Sequence, residues 1–255
     1  MVYNFIEILV LGIVQGISEF LPISSSAHIF LISEIYQFRS QSLITDVSLH
    51  LGSLLAILFY FINDLKNIFI NKNLLYLLVL GSTPLVIIGL LIFNTGLIDK
   101  LRNLEVVAWS TLIFAILLFI ADKFKVKKKI DTDLKLKSIL LIGFFQALSL
   151  IPGVSRSGIV ITAGRFLNFD RFESTKISFY LSIPAIAGAS ILTLKDLRPE
   201  NIDFNIVILF TIIFSFIISY LSIKYFLIFT KKFSMNLFVI YRIFLSIILF
   251  FILYS

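Results

Sequence analysis

Gly12-Ile-Val-Gln-Gly-Ile-Ser-Glu-Phe-Leu-Pro-Ile-Ser-Ser-Ser-Ala-His28 sets a carboxylate, a run of three serines and a histidine into an otherwise apolar segment. A second stretch of the same kind follows about 130 residues later: Gly143-Phe-Phe-Gln-Ala-Leu-Ser-Leu-Ile-Pro-Gly-Val-Ser-Arg-Ser157. Ionisable groups at membrane depth are costly, so each one found there is a functional hypothesis in itself. Pro22 and Pro152 each remove a backbone donor and stop a helix. Irregular backbone inside a bilayer is tolerated only where protein or a water-filled cavity covers it. The segments 4–40 and 138–168 are therefore predicted to be re-entrant: helix in, polar turn at the tip, helix out.

The rest of the chain supplies the bilayer. Of 255 residues, 59% are hydrophobic and 15% charged, with mean hydropathy +1.03; a soluble domain carries about a quarter charged residues. The apolar runs are continuous rather than alternating, which argues against a β-barrel. Six of them, 47–63, 75–93, 105–121, 176–194, 204–223 and 236–254, read as spanning helices. The expectation is an all-α polytopic membrane protein, one membrane domain over 1–255, with six transmembrane helices and two re-entrant helix-turn-helix segments. The run 5–16 is too short to span, and with no Lys or Arg before Arg39 it lacks the basic start of a signal peptide. The absence of cysteine excludes a disulfide framework, a thiolate nucleophile and a cysteine metal site. The net charge of +7 suggests nucleic acid at first sight. Its densest source, Lys123 to Lys137, lies between apolar spans and reads as a cytoplasmic loop.

The loops 64–74, 122–137 and 224–235 together carry twelve Lys and Arg, against four in 94–104 and 195–203. The positive-inside rule places the first set in the cytoplasm and both termini outside. The halves 1–121 and 138–255, joined by the Lys-rich loop 122–137, also align. Gly12/Gly143, Gln15/Gln146 and Ser18/Ser149 are 131 apart, while Pro22/Pro152, Ser25/Ser155, Thr45/Thr175 and Ser48/Ser178 are 130 apart. Each half holds one re-entrant segment and three spans. An odd number of crossings inverts the second half, and inverted repeats place their sites where the broken helices meet near the midplane.

Gln15 and Glu19, four residues apart, share a helix face. A carboxylate beside an amide oxygen suits a divalent cation or a general base. Ser24, Ser25 and Ser26 follow Pro22; turn capping accounts for one of them. Ser25 is the preferred nucleophile, with His28 three residues on as its base or as the phosphoryl acceptor. Direct attack by water stays open. At the other tip, Ser155, Arg156 and Ser157 open a helix, where free N–H groups and a guanidinium fork suit phosphate. The competing reading of Arg156 is an internal ion pair with Glu19. Ser24, Ser26 and Thr162 complete the candidate phosphate contacts. Asp46 and His50, four apart, read as a structural hydrogen bond. Arg242 in the last span is explained equally by snorkelling to the cytoplasmic side and by function. Arg165, Arg171 and Lys176 read as boundary residues.

At these residues the chain resembles the undecaprenyl-diphosphate phosphatase family, also called bacitracin-resistance proteins. The resemblance rests on Gln15-Gly-Ile-Ser-Glu19, the Ser-Ser-Ser-Ala-His28 run, Pro152-Gly-Val-Ser-Arg-Ser-Gly158 and Asp46-Val-Ser-Leu-His-Leu-Gly-Ser53. Gln15 stands where the family has an acid or an amide, leaving one carboxylate fewer for a metal. The resemblance implies hydrolysis of a C55 isoprenyl diphosphate to the monophosphate in the bacterial cell membrane, bacitracin resistance, a divalent cation (Mg²⁺ or Ca²⁺) held through Glu19 and Gln15, and a site opening to the outer face. The expected partners are the polyprenyl diphosphate lipid and the bilayer, with no nucleic acid and a homodimer as the assembly to test. Without the family, an inverted repeat with broken helices reads as a transporter or flippase for an anionic polyprenyl phosphate lipid. The Glu-Ser-His cluster, which exceeds what binding requires, favours an enzyme.

Overall fold

The computed structural model describes residues 5–25, 27–28, 31–32, 43–93, 95–124, 126, 128–195 and 206–254. Among them the chain is helical, with no strand and a single isolated bridge between Lys128 and Phe169. The helices are α1 Phe5–Ser18, α2 Leu43–Tyr60, α3 Ile62–Ile70, α4 Lys72–Phe93, α5 Leu97–Leu101, α6 Leu104–Asp122, α7 Ile130–Asp133, α8 Leu136–Ala147, α9 Arg156–Phe166, α10 Arg171–Lys195, α11 Ile206–Lys232 and α12 Asn236–Tyr254. Five (α4, α6, α10, α11 and α12) are long and apolar enough to cross a membrane. The expected span 47–63 is instead a bent pair, α2 and α3, turned by 70°. Phe61 sits at the bend, buried against Phe179 and Tyr180 of α10. Beyond it, Asp64 accepts from Tyr180 Oη at 2.7 Å and pairs with Lys176 at 3.0 Å, which holds α3 against α10.

Two stretches read as loops, 64–74 and 224–235, are largely helical. α11 runs for 27 residues, about 40 Å at 1.5 Å per residue, against a hydrocarbon core of about 30 Å. The excess of about 10 Å, about seven residues, is enough for the last turns with Lys231 and Lys232 to lie beyond the apolar slab, but not for Lys224. Large side chains such as Phe5, Leu91, Ile206, Phe244 and Phe251 are exposed on the outside of the bundle, the surface a lipid-facing helix presents.

Helix packing is close where glycines allow it. α2 packs on α11, where a methyl group on Gly52 would lie 2.5 Å from the Ile212 carbonyl oxygen. Ser53 Oγ meets Ser219 Oγ at 2.9 Å beside it, and Ser215 Oγ donates to the Leu49 carbonyl at 2.7 Å. The packing is reciprocal: α1 lies on α11 and α8 on α4, and α6 pairs with α12. At one end of α6, the buried Asp122 carboxylate takes both Nε and Nη2 of Arg171, at 2.7 and 3.0 Å, and the Met235 N–H at 3.0 Å. Arg165, 2% exposed, adds its Nε at 3.5 Å and donates to the carbonyls of Asp122, Phe124 and Phe169. Arg165 and Arg171, read as boundary residues, thus also form a clamp at helix ends joining α6, α9, α10 and the start of α12, Arg165 buried within it and Arg171 partly exposed.

Candidate active site

Both broken segments form tips, built alike. α1 continues through Glu19 N–H to Gln15 O and Leu21 N–H to Ile17 O, and stops at Pro22. α8 tightens into a 3-10 turn over Leu148–Leu150 and stops at Pro152. Each tip then turns on a serine in the left-handed region, Ser24 at φ 72° and Ser155 at φ 65°. Only Asn168 shares that conformation among the other described non-glycine residues. Each serine caps the helix that follows: Ser24 Oγ accepts from Ala27 N–H at 3.4 Å, and Ser155 Oγ from Gly158 N–H at 3.2 Å. Backbone conformation therefore matches Ser24 with Ser155, 131 apart, not Ser25 with Ser155. By that register Ser25 occupies the position of Arg156, as first residue of the restarted helix.

The tips touch. Arg156 Nη2 donates to Glu19 Oε1 at 2.5 Å, while Nη1 donates to the Ser182 carbonyl of α10 at 3.0 Å. Ser157 Oγ donates to the Leu21 carbonyl at 2.8 Å. Phe20, fully buried, packs edge-on against Phe179 at 5.5 Å and anchors the first tip beside the carboxylate. On the far oxygen of Glu19, Gln15 Nε2 donates at 2.9 Å, and the same nitrogen lies 3.2 Å from His50 Nδ1. His50 thus meets Gln15 across helices, where its spacing had suggested only Asp46. The structure bears out the ion-pair reading of Arg156: the acid and the guanidinium neutralise each other, since either alone at such burial would be costly.

Other expected residues fall differently. His28 Nδ1 lies 2.6 Å from the Ser24 carbonyl, so it carries the proton, and Nε2 accepts from Tyr241 Oη with the rings stacked. Both ring nitrogens are thereby committed, and neither is paired with Ser25, which is half-buried at the helix start. Thr162 Oγ1 turns back to the Gly158 carbonyl at 2.7 Å, a contact within its own helix. Ser26 lies outside the described residues. Arg242 does not snorkel: it is fully buried, and Nη2 donates to the Gly153 and Val154 carbonyls at 3.1 and 3.2 Å. Its Nη1 would lie 3.0 Å from a methyl group placed on Gly158, so a second guanidinium backs the turn that opens α9. Hydropathy alone could not find this role; the signal was a charge in the middle of a span. From α6, Ser110 Oγ reaches the Pro152 carbonyl at 2.5 Å and Thr111 Oγ1 the Gly153 carbonyl at 3.4 Å. Gly153 has φ 92°, and a side chain there would meet Ser110 Oγ at 2.1 Å.

No group of three or more His, Asp or Glu among the described residues is placed to hold a metal. One carboxylate and one amide oxygen, from Glu19 and Gln15, do not make a closed cage. Glu19 would suit a Mg²⁺ ion that keeps waters and takes its remaining oxygens from a phosphate better than the larger oxygen shell of Ca²⁺, whereas the Gln15 amide as placed turns its nitrogen, not its oxygen, to Glu19.

The fold and tips define a multi-pass membrane protein whose buried charges converge from two broken helices. The description "Bacitracin resistance protein BacA" matches residues 8–248, and the chain belongs to that family. It is similar to the undecaprenyl-diphosphatase of Pelagibacter ubique, 57% identical over 253 residues covering 99% of each chain. The enzyme of the same name from Elusimicrobium minutum is 42% identical over 96% of each chain. That from Erythrobacter litoralis is 34% identical over 94% of this chain and 96% of its own.

Proposed function

We infer that this chain is a membrane phosphatase that hydrolyses undecaprenyl diphosphate to undecaprenyl phosphate and inorganic phosphate. The reaction recycles the lipid carrier of cell-wall synthesis and confers bacitracin resistance. The observation that carries this reading is the junction of the two tips through Glu19 and Arg156, in a chain that matches undecaprenyl-diphosphatases along its whole length.

In this reading the isoprenyl tail stays between helices in the bilayer and the diphosphate enters at the tips. Arg156 exchanges its bond to Glu19 for phosphate oxygens, joined by the first-turn N–H groups of α9 and by Ser155 and Ser157. Arg242 keeps the Gly153-Val154 turn in place for that contact. A divalent cation held through Glu19 would offset the charge that develops on the transferring phosphoryl group. Ser25 Oγ attacks the terminal phosphorus, and the bridging bond breaks to release the monophosphate lipid. His28 Nε2 takes the proton once Tyr241 Oη is displaced. Water then opens the phosphoserine. The rival in which water attacks directly is separated by Ser25→Ala: full turnover in that variant removes Ser25 from the mechanism.

Six crossings, with α2 and α3 counted as one bent span, and an inverted repeat belong to the same proposal. The reciprocal packing of α1 on α11 and α8 on α4, and the shared left-handed cap at both tips, support it. The basic loops then lie in the cytoplasm with both termini outside. The decisive experiment is phosphate release from farnesyl diphosphate by purified protein, with and without chelator, for wild type, Glu19→Gln and Arg156→Ala. Release by wild type, lost in both variants and with chelator, is expected. Lipid translocation in vesicles without phosphate release would make the protein a carrier instead.

A further inference from the structure

We propose that His50 is a positioning residue of this site, an obligate hydrogen-bond acceptor that fixes the Gln15 amide and, through it, the Glu19 carboxylate. The proposal rests on the reading of Glu19 as a site residue.

Chemistry settles the orientation. The ionised Glu19 carboxylate can only accept hydrogen bonds. Its Oε1 takes Arg156 Nη2 and its Oε2 takes the Gln15 amide nitrogen. Turning that amide over would set its oxygen against the carboxylate, so Nε2 must face Glu19. Nε2 is also the atom beside His50 Nδ1, at 3.2 Å. The amide nitrogen has two hydrogens, one for each neighbour. His50 Nδ1 must therefore present a lone pair, and the imidazole proton sits on Nε2. The amide oxygen is used by neither contact and stays available to a cation.

The result is one chain across three helices: α9 through Arg156, α1 and its tip through Gln15 and Glu19, and α2 through His50. Gln15 is 4% exposed, so without His50 its second hydrogen has little water to turn to, and an unsatisfied buried donor is costly. The amide would then swing to find a partner and release Glu19 Oε2. His50 touches no substrate in this arrangement. It decides where the carboxylate stands when phosphate replaces it on Arg156.

The test is a double-mutant cycle on purified protein, read as phosphate release from farnesyl diphosphate with thermal unfolding measured alongside. Outer contacts of this kind are worth about 10- to 100-fold in activity. His50→Leu should lower kcat by about that factor with KM moving less than about 3-fold. His50→Gln, whose amide oxygen can accept the same bond, should recover most of the loss. Adding His50→Leu to Gln15→Leu should cost nothing further, because the residue His50 acts through is already gone. Full kcat in His50→Leu, or additive losses in the double variant, would overturn the proposal. So would a His50→Gln variant that folds with wild-type stability but is as slow as His50→Leu. Glu19→Gln keeps the two readings apart. If it retains wild-type turnover, the site itself is misassigned; if it is dead while His50→Leu is fully active, only the role of His50 fails.

Discussion

At the residue scale the Glu19–Arg156 ion pair and the site role proposed for it make separate predictions on mutation. Removing one member of a buried pair strands the other charge and costs about 3–5 kcal/mol, whereas replacing both with apolar groups is often neutral. Glu19→Leu and Arg156→Leu singly should each lower the unfolding temperature in detergent. The double variant should recover most of that stability and have no turnover. Arg156→Lys tests the fork. One ammonium cannot hold the Glu19 carboxylate and the Ser182 carbonyl in a fixed plane, so activity should fall about 100-fold, the usual loss for a missing donor to a developing oxyanion. Stability should change little. Of these residues, Glu19, Arg156 and the serines were legible in the sequence, because a polar atom in an apolar run announces itself. Tyr241 was not, since a tyrosine in a span is ordinary and only the bond to His28 gives it a task. The orientation of His28 was equally hidden. Three-residue spacing puts Ser25 and His28 on one face but says nothing of Tyr241 arriving from α12.

At the element scale, glycines separate helices that must touch from helices that need not. A methyl group on Gly143 would sit 2.2 Å from the Gly81 carbonyl oxygen, where α8 crosses α4. Gly143→Ala should destabilise by about 1–3 kcal/mol, the usual cost of overpacking. Gly188 has nothing within 4 Å of such a methyl, so Gly188→Ala should hold or raise the unfolding temperature, by up to about 1 kcal/mol of helix propensity. Melting both variants in one detergent checks the pair. Element positions were readable from hydropathy to within a few residues for α4, α6, α10 and α12. The sequence did not reveal the bend between α2 and α3. No proline marks it, and its cause is the burial of Phe61 against α10, a contact more than 100 residues away. The loops mistaken for coil are helices because charge was read as a stop signal, whereas a basic helix end simply leaves the slab.

At the scale of the whole molecule, the proposed six crossings and the basic loops imply an orientation that can be checked without background, because the chain has no cysteine. Single cysteines at Lys129 and at Ser255 should label from opposite faces of the membrane. Labelling of both from one face would refute the six-crossing topology. The match between the halves was visible in sequence, but its register at the tips was not. Proline falls one residue differently in the two tips, and the left-handed serines decide the pairing by conformation.

The Asp122 clamp adds a constraint of another kind, one of time. The carboxylate ends α6 in the first half of the chain, yet Arg165, Arg171 and the Met235 N–H that satisfy it come from the second. A ribosome delivers the acid long before its partners, so the nascent first half waits with an unanswered charge at its edge. Closure of the clamp then marks the end of assembly, when α12 has arrived and α6, which braces the Pro152-Gly153 turn through Ser110 and Thr111, is locked at its far end. Separately expressed halves should accordingly be degraded alone and recovered when made together.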